Sequence, residues 1–255
     1  MAANNYVLGK GRIYFDRFLP NTKTPTGNFR YLGNTPGFTI SQDSETLDHF
    51  SSEGGIRVKD DSVTLEQNMS GTLSCDNISA DNMALWFGGT AQPETQASGS
   101  SLTYAIPTAR KGYTYFIGAT AADPMGDMNL SSLTVTQGGS PVAASGNYEV
   151  DLKTGKLDIL DNAVNITEGS ALTVTYGLAA GTRTIVIENG ESIYGSLRFM
   201  ADNPKGINRH AILPYVGLTS NGDFAFKGEE WMQMQFNLEV LQLNSTTRRI
   251  LLPTS

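Results

Sequence analysis

The stretch Ser62-Val63-Thr64-Leu65-Glu66-Gln67-Asn68-Met69-Ser70-Gly71-Thr72-Leu73-Ser74-Cys75 carries most of its apolar side chains at odd positions and polar ones at even positions. A period of two marks an extended strand, because successive side chains leave a pleated backbone on opposite faces. The same design recurs where Met232, Met234, Phe236, Leu238 and Val240 alternate with Gln233, Gln235, Asn237 and Glu239. It recurs again where Ile193, Leu197 and Phe199 alternate with Tyr194, Ser196 and Arg198. Each of these three strands can lay one face on a core and leave amides, hydroxyls and a few charges in water, as antiparallel sheets commonly do.

Elsewhere Val, Ile, Thr, Tyr and Phe recur in short runs broken by 27 glycines and by Asn/Asp/Ser clusters, so the chain reads as mainly β. One helix is predicted over Ala80–Phe87, capped by Ser79, with Asp81 in its first turn and Gly88-Gly89 stopping it. Met83, Trp86 and Phe87 share a face of that helix, a stripe that fits a plug at an open end of a β-sandwich.

Composition shifts in mid-chain. Gln92–Ser101 reads as a linker and Glu188-Asn189-Gly190-Glu191 as a turn. Between them lie candidate strands at Tyr113–Ile117, Leu133–Thr136, Tyr148–Leu152, Lys156–Leu160, Leu172–Tyr176 and Thr184–Ile187, with a hairpin turn around Gly155. That number suits a small immunoglobulin-like sandwich. Residues 91–190 hold five basic and nine acidic side chains, more than half of the net charge of −7. The expectation is an acidic inserted domain over 91–190, carried on a core made from residues 1–90 and 191–255.

Eighteen Lys and Arg against 25 Asp and Glu leave no excess of positive charge for phosphates or an anionic membrane. No window approaches the roughly 20 apolar residues that span a bilayer. The lone Cys75 cannot form an intrachain disulfide, and Met-Ala-Ala-Asn-Asn has no basic or apolar signal-peptide region, which predicts synthesis in a reducing cytoplasm. Five Asn-x-Ser/Thr triplets, starting at Asn68, Asn77, Asn129, Asn165 and Asn244, then carry little weight as glycosylation sites.

The chemistry of catalysis is sparse. His49 and His210 lie far apart, and Asp123-Pro124-Met125-Gly126-Asp127-Met128-Asn129 lacks the central glycine and final Glu of a calcium loop. Gly9-Lys10-Gly11 does not extend to a phosphate loop, and no Gly-x-Ser-x-Gly occurs. Cys75 sits in a strand with no basic neighbour in sequence, and Glu229-Glu230 points to opposite faces if extended, so it reads as the turn before a strand at Trp231. The expectation is a protein with no catalytic residues, no metal and no cofactor.

Several runs together resemble a known family. They are Tyr194–Gly206, Ala211–Val216, Asn221-Gly222-Asp223 and Lys227–Trp231, with Asn147–Leu157 and Glu168–Tyr176 resembling that family's inserted domain. In order and spacing they resemble the major tail tube proteins of long-tailed, siphovirus-type bacteriophages. The resemblance covers most of the chain. It implies a structural virion protein, a β-sandwich with one flanking helix, whose sheet closes a ring barrel across subunits. Hexameric rings would stack into a hollow viral tail, the conduit for DNA ejection, built in the host cytoplasm. Implied partners are further copies of itself, a tape measure protein inside the tube, and tail terminator and distal tail or baseplate proteins at its ends. DNA would pass without specific binding.

Two expectations about residues follow. Glu66, Asn68, Ser196, Gln233, Gln235, Asn237 and Glu239 alternate with the apolar residues that fill the sandwich, so they are expected to face the lumen. Gln42–Lys59 is too long and polar for an ordinary hairpin turn and reads as a long loop carrying Leu47, Phe50, Ile56 and Val58. In the family that the chain resembles, the corresponding loop reaches the next ring, so Leu47 and Phe50 are expected as anchors rimmed by Asp43, Glu45 and Asp48. A cell-surface or adhesin-type β-sandwich binding module is the alternative of a different class. A tube subunit of a bacterial contractile secretion system is a third, and an enzyme built from dispersed carboxylates a fourth without positive support.

Overall fold

The computed structural model describes residues 5–254. In chain order its strands are β1 (Gly11–Arg17), β2 (Arg30–Tyr31), β3 (Gly37–Ser51), β4 (Val58–Cys75), β5 (Gly89–Gln96), β6 (Gly99–Ile106), β7 (Thr114–Phe116) and β8 (Leu130–Gln137). They continue with β9 (Ser140–Val142), β10 (Tyr148–Asp151), β11 (Lys156–Ile159), β12 (Leu172–Leu178), β13 (Gly181–Glu188), β14 (Ile193–Ala201), β15 (Ala211–Asn221) and β16 (Met234–Val240). The single α-helix among the described residues, α1 (Ala80–Trp86), lies between β4 and β5. The chain is thus all-β with one short helix. Two compact units emerge, Met1–Gln92 with Ile185–Ser255, and Pro93–Thr184. The composition shift at 91–190 brackets the second unit but overshoots its end, because β13 straddles the boundary. Gln92–Ser101, expected as a linker, falls almost wholly into β5 and β6. β5 pairs with β13, and β6 with β12, so backbone pairing to a neighbour overrides the weak strand propensity of Gln, Ser and Gly.

The first unit is built on a seven-stranded antiparallel sheet in the order β2-β1-β14-β15-β16-β4-β3. Strands from both ends of the chain interleave in it, so neither end makes the sheet alone. An anticipated sandwich of two sheets is here one sheet curled over its own apolar face. Phe38 on edge strand β3 meets Phe199 on β14, ring centroids 5.8 Å apart, although three strands separate them in the sheet. A register shift between Gly195 and Leu197 of β14 supplies bending, because the extra residue of a bulge increases local twist. Inside the curl lie Ile13, Phe15, Leu73, Leu197, Leu213, Leu218, Met234, Phe236 and Leu238. None of the sheets closes into a barrel within one chain.

Helix α1 begins as its sequence demands, with the Ser79 side chain accepting from the Asn82 N–H. Leu85 packs into the core, and the Trp86 indole N–H donates to the Gln235 carbonyl at 3.1 Å, which pins the helix over the β16 end of the sheet. Buried Asn82 donates to the Leu32 and Asn77 carbonyls and accepts from Arg30, so its polar atoms are satisfied. Burial lowers the pKa of the Arg30 guanidinium, with the Asp81 carboxylate opposing that shift.

Gly71 is required by packing rather than by its dihedral angles. It is buried between Ile40 and Leu238, and a Cβ there would collide with the Thr39 carbonyl. We expect Gly71→Val to destabilise the unit by about 1–3 kcal/mol, the usual overpacking penalty, read as a lowered midpoint in urea denaturation. An unchanged midpoint would show that β3 shifts freely at this point.

The second unit has a three-stranded sheet, β10-β11-β7, and a four-stranded sheet, β6-β12-β8-β9. Leu157, Ile159 and Tyr148 from the first share a core with Ile106, Val135, Leu172, Val174 and Tyr176 from the second. The β10–β11 turn forms where the sequence places it. Asp151 accepts from the Lys153 N–H and the Thr154 hydroxyl, which hold its carboxyl below the usual range, and Gly155 takes φ +68°. Tyr176 donates to Asp127 at 2.6 Å, and its burial together with that carboxylate pushes the phenol pKa up. We expect replacement of residues 93–184 by a short Gly/Ser turn to leave the first unit with a single cooperative thermal transition, because its core residues all lie outside that segment. Loss of that transition would mean the segment is integral to the core.

Candidate functional site

The segment expected as an irregular loop is a long β-hairpin. β3 and β4 stay paired from Gly37/Ser74 to Ser51/Val58 through two register shifts, whereas β16 borders β4 only over Ser70–Cys75. Everything beyond Gln42 and Met69 is therefore a two-stranded arm standing clear of the sheet. At roughly 3.3 Å per residue its length is about 30 Å. Asp43, Ser44 and Glu45 have low strand propensity, and cross-strand pairing overrides it. Leu65 and Asp60 are the extra residues at its two register shifts, which twist the ribbon.

Leu47, Phe50, Val58, Val63 and Leu65 are exposed along this arm, and Ile56 near its tip is 82% exposed. Val63 and Leu65, which the alternation assigns to the core, lie instead where no layer covers them. Nothing from Ser41 to Asn68 is buried. Isolated two-stranded hairpins are marginal in water, and this one displays apolar surface as well. Polar pairs hold its outer part. Asp48 accepts from Lys59 Nζ at 2.6 Å and Ser62 Oγ at 2.8 Å, and His49 Nδ1 lies 2.6 Å from Asp60. The Arg57 guanidinium sits 5.3 Å from the Phe50 ring centroid.

Hydrogen bonds from Lys59 and Ser62, in that order, hold the Asp48 carboxyl below its ordinary value. A depressed folded-state pKa contributes stability that is present above the unfolded value near 4 and lost as the pH falls through the folded one. We expect amide exchange across residues 43–65 to accelerate below about pH 4, and Asp48→Asn to remove most of that dependence. Equal acid sensitivity in both proteins would assign the effect elsewhere.

The outer face of the curled sheet is polar. Thr39, Ser41, Asp43 and Glu45 of β3 stand beside Thr72, Ser70, Asn68 and Glu66 of β4, and Gln235, Asn237 and Glu239 of β16 pair with Ser74, Thr72 and Ser70. Hydroxyl pairs Thr39–Thr72 at 2.8 Å and Ser41–Ser70 at 3.0 Å link the rows. Glu66, Asn68, Gln235, Asn237 and Glu239 are all exposed, and Gln233 is exposed in the segment just before β16. These rows carry four carboxylates, Asp43, Glu45, Glu66 and Glu239, and no Lys or Arg.

Ser196 departs from its expected place on this wet face. It is only 6% exposed and donates to the Leu213 carbonyl at 3.2 Å. The chain after β1 straps across that part of the sheet. Asp16, opposite Ser196, is fully buried and accepts from the Thr26 and Gly27 N–H groups at 3.0 and 2.9 Å and from the Thr26 hydroxyl. Phe18 stacks on Tyr215, and Arg198 lies over Phe29. Burial under the strap, with Tyr194 and Glu239 nearby, raises the Tyr215 phenol pKa. The open polar face is thus confined to β15, β16, β4 and β3.

A second exposed apolar feature was not legible in the sequence as a surface. The β15–β16 connection presents Phe226 at 77% and Trp231 at 93% exposure. Trp231 reads in sequence as the start of a strand, but β16 begins only at Met234.

Among the described residues no three His, Cys, Asp or Glu side chains gather as a metal site, and no helix is long and apolar enough to cross a membrane. His210 lies far in sequence from His49, and its Nδ1 accepts from the Ala201 N–H. Cys75 is buried against the Leu32 carbonyl, and burial pushes its thiol pKa up, which disfavours the reactive thiolate. What the arrangement offers is contact area: an arm, a polar face, a free sheet edge at β3 and an aromatic projection.

A search of curated proteins returns no match. A family model described as "Protein of unknown function UCP028589" matches residues 6–248. With nearly the whole chain spanned, including both halves of the curled sheet and the intervening unit, the protein belongs to the UCP028589 family.

Proposed function

We propose that this protein is the structural subunit of a phage tail tube, assembling through its arm and sheet edge into hexameric rings that stack as a conduit for DNA. The observation that carries the reading is the arm, about 30 Å of paired backbone with exposed Leu47, Phe50, Ile56 and Val58 and no layer of its own chain to cover them. Such a surface is stable in water when another molecule buries it. Its edge strand β3 has a free side, and joining sheets edge to edge around a ring would remove that exposed edge. Lateral closure would turn the apolar face of the curl toward its own core and the polar face toward a lumen. A lumen of amides, hydroxyls and carboxylates repels phosphate rather than holding it, which suits a passage through which DNA slides. The three-plus-four strand count of the second unit supports an immunoglobulin-like fold for it. A tape measure protein inside the tube, a terminator and distal tail or baseplate proteins at its ends, and a place in the virion follow from the same reading.

Sedimentation velocity over a range of protein concentrations tests the proposal. We expect a concentration-dependent shift from subunit to ring-sized and larger species. A subunit that stays monomeric at every concentration would contradict it.

A further inference from the structure

At the end of the sheet from which the arm emerges, the neighbouring strands finish in a basic surface. Three segments beyond β1, β14 and β15 are tied together by their backbones. The Leu8 N–H donates to the Lys205 carbonyl at 3.1 Å, the Asp202 N–H to the Lys10 carbonyl at 2.8 Å, and the His210 N–H to the Pro253 carbonyl at 2.9 Å. Residues 6–12, 202–210 and 248–254 hold six cations against one carboxylate, Asp202, in a chain whose net charge is −7. Arg249 donates to the Gln67 carbonyl at 2.7 Å. Lys10, Arg12, Lys205, Arg209 and Arg248 are exposed and make no ion pair among the described residues. Tyr6, Leu8, Leu251 and Leu252 are exposed in the same segments. Like charges gathered in this way repel one another in the lone subunit, and an anionic surface laid over them relieves that repulsion.

The arm has the opposite charge. Residues 43–66 hold seven carboxylates against two cations, around exposed Leu47, Phe50, Ile56 and Val58. Lys59 is taken by Asp48, whereas Glu53 and Asp61 make no ion pair among the described residues. Within one chain no ion pair joins the arm to the basic end, and β16 separates the two in the sheet. In a ring joined edge to edge, rotation keeps every copy the same way up, and β3 of one copy lies next to β2 and β1 of the following one. The arm leaves at the same end of the strands as Lys10 and Arg12, because Gly11 pairs with Ala201, Phe199 with Ala211, Val216 with Val240 and Glu239 with Ser70. The acidic, apolar arm and the basic, apolar end are thus neighbours across the joint. DNA would satisfy the cations alone, leaving the apolar side chains of both surfaces and the charge of the arm unmet.

We propose that this basic end receives the acidic arm of the adjacent copy in the same ring, with Glu53 and Asp61 set against Lys10, Arg12, Lys205 and Arg209. The proposal rests on the tube reading and adds to it a lateral clamp, in which each arm crosses its neighbour's end on the way to the next ring. Contact between two unlike surfaces of one chain is head-to-tail, and a rotation that closes makes it a ring.

The test uses the full chain and reads the protein concentration at which rings form, by sedimentation velocity. Lys10→Glu with Arg12→Glu, and separately Glu53→Lys with Asp61→Lys, should each raise that concentration by about tenfold or more, because each puts like charges against one another across the joint. All four substitutions together should bring it back close to the wild-type value. If the first cationic variant does not fold, Lys205→Glu with Arg209→Glu takes its place in the same exchange. Rings from either separate variant at the wild-type concentration, or a combined variant no better than its parents, would overturn the clamp and leave the tube reading standing. A short DNA duplex that binds the wild-type subunit but not the cationic variant, with ring formation the same in both, would give the basic end to nucleic acid and likewise overturn the clamp. Absence of rings from the wild-type protein would overturn both readings.

Discussion

Subunits carrying Leu47→Ser and Phe50→Ser should remain folded and soluble but make no long tubes, on the reading that the arm joins ring to ring. Neither side chain belongs to either core, and both are exposed on the arm. Their removal therefore leaves no cavity, and the far-ultraviolet spectrum and melting temperature should match the unsubstituted protein within about 1–2 °C, as for surface changes generally. The assembly loses more. Truncating a buried interface anchor typically removes about 2 kcal/mol or more, and the loss repeats at every copy around a ring, so the ring-to-ring contact weakens by a multiple of that figure. Sedimentation and microscopy should show rings or subunits in place of extended polymers. Tubes of ordinary length from this variant would exclude the arm as the stacking element, and an unfolded variant would mean that the arm packs on its own subunit.

The second large effect concerns passage of DNA. Lys at Glu66, Asn68, Gln235, Asn237 and Glu239 replaces the exposed row of the polar face without touching the core residues that alternate with it. Ser196 is left alone, because its burial under the strap makes substitution a folding problem. If this face lines the tube, each subunit adds five cations to the channel wall and removes two carboxylates. Contacts with phosphates then release counterions, and non-specific binding in the range of about 10⁻⁴–10⁻⁶ M at physiological salt, steeply weakened by added salt, is the expected consequence. Ejection should slow by orders of magnitude at low salt and recover at high salt, while tube assembly persists. Ejection at the original rate, or tubes that bind DNA only on their outside, would place this face elsewhere.

Much of the sheet was legible because a period of two is a backbone property that survives any environment. β16 follows its pattern residue by residue, with Met234, Phe236, Leu238 and Val240 buried and Gln235, Asn237 and Glu239 exposed. Helix α1 was legible for the same kind of reason, since Ser79 satisfies a local hydrogen-bond need. What periodicity does not carry is whether a layer covers a face. Val63 and Leu65 continue the alternation of Leu73 and Cys75, yet the first pair stands in solvent and the second in the core, because β16 ends its pairing at Ser70. Ser196 fails in the opposite sense, covered by a strap anchored through Asp16 some 180 positions earlier in the chain. Both errors arise from long-range packing, and no local signal distinguishes the cases. The arm itself was hidden by composition, since Gln42–Lys59 is polar enough to read as loop. Its exposed Leu47 and Phe50 were visible as residues without a core, and that remains the feature from which assembly is inferred.

The central claim is that copies of this chain close into rings and stack. Electron cryo-microscopy of the purified, concentrated protein tests it most directly, because rotational symmetry, axial repeat and the orientation of the sheet emerge from one reconstruction. The account predicts sixfold rings in a hollow tube, with Asn68, Asn237 and Glu239 on the lumen wall and the arm of each subunit reaching the adjacent ring. Dispersed monomers, closed dimers, or a polymer whose lumen is lined by other residues would contradict it.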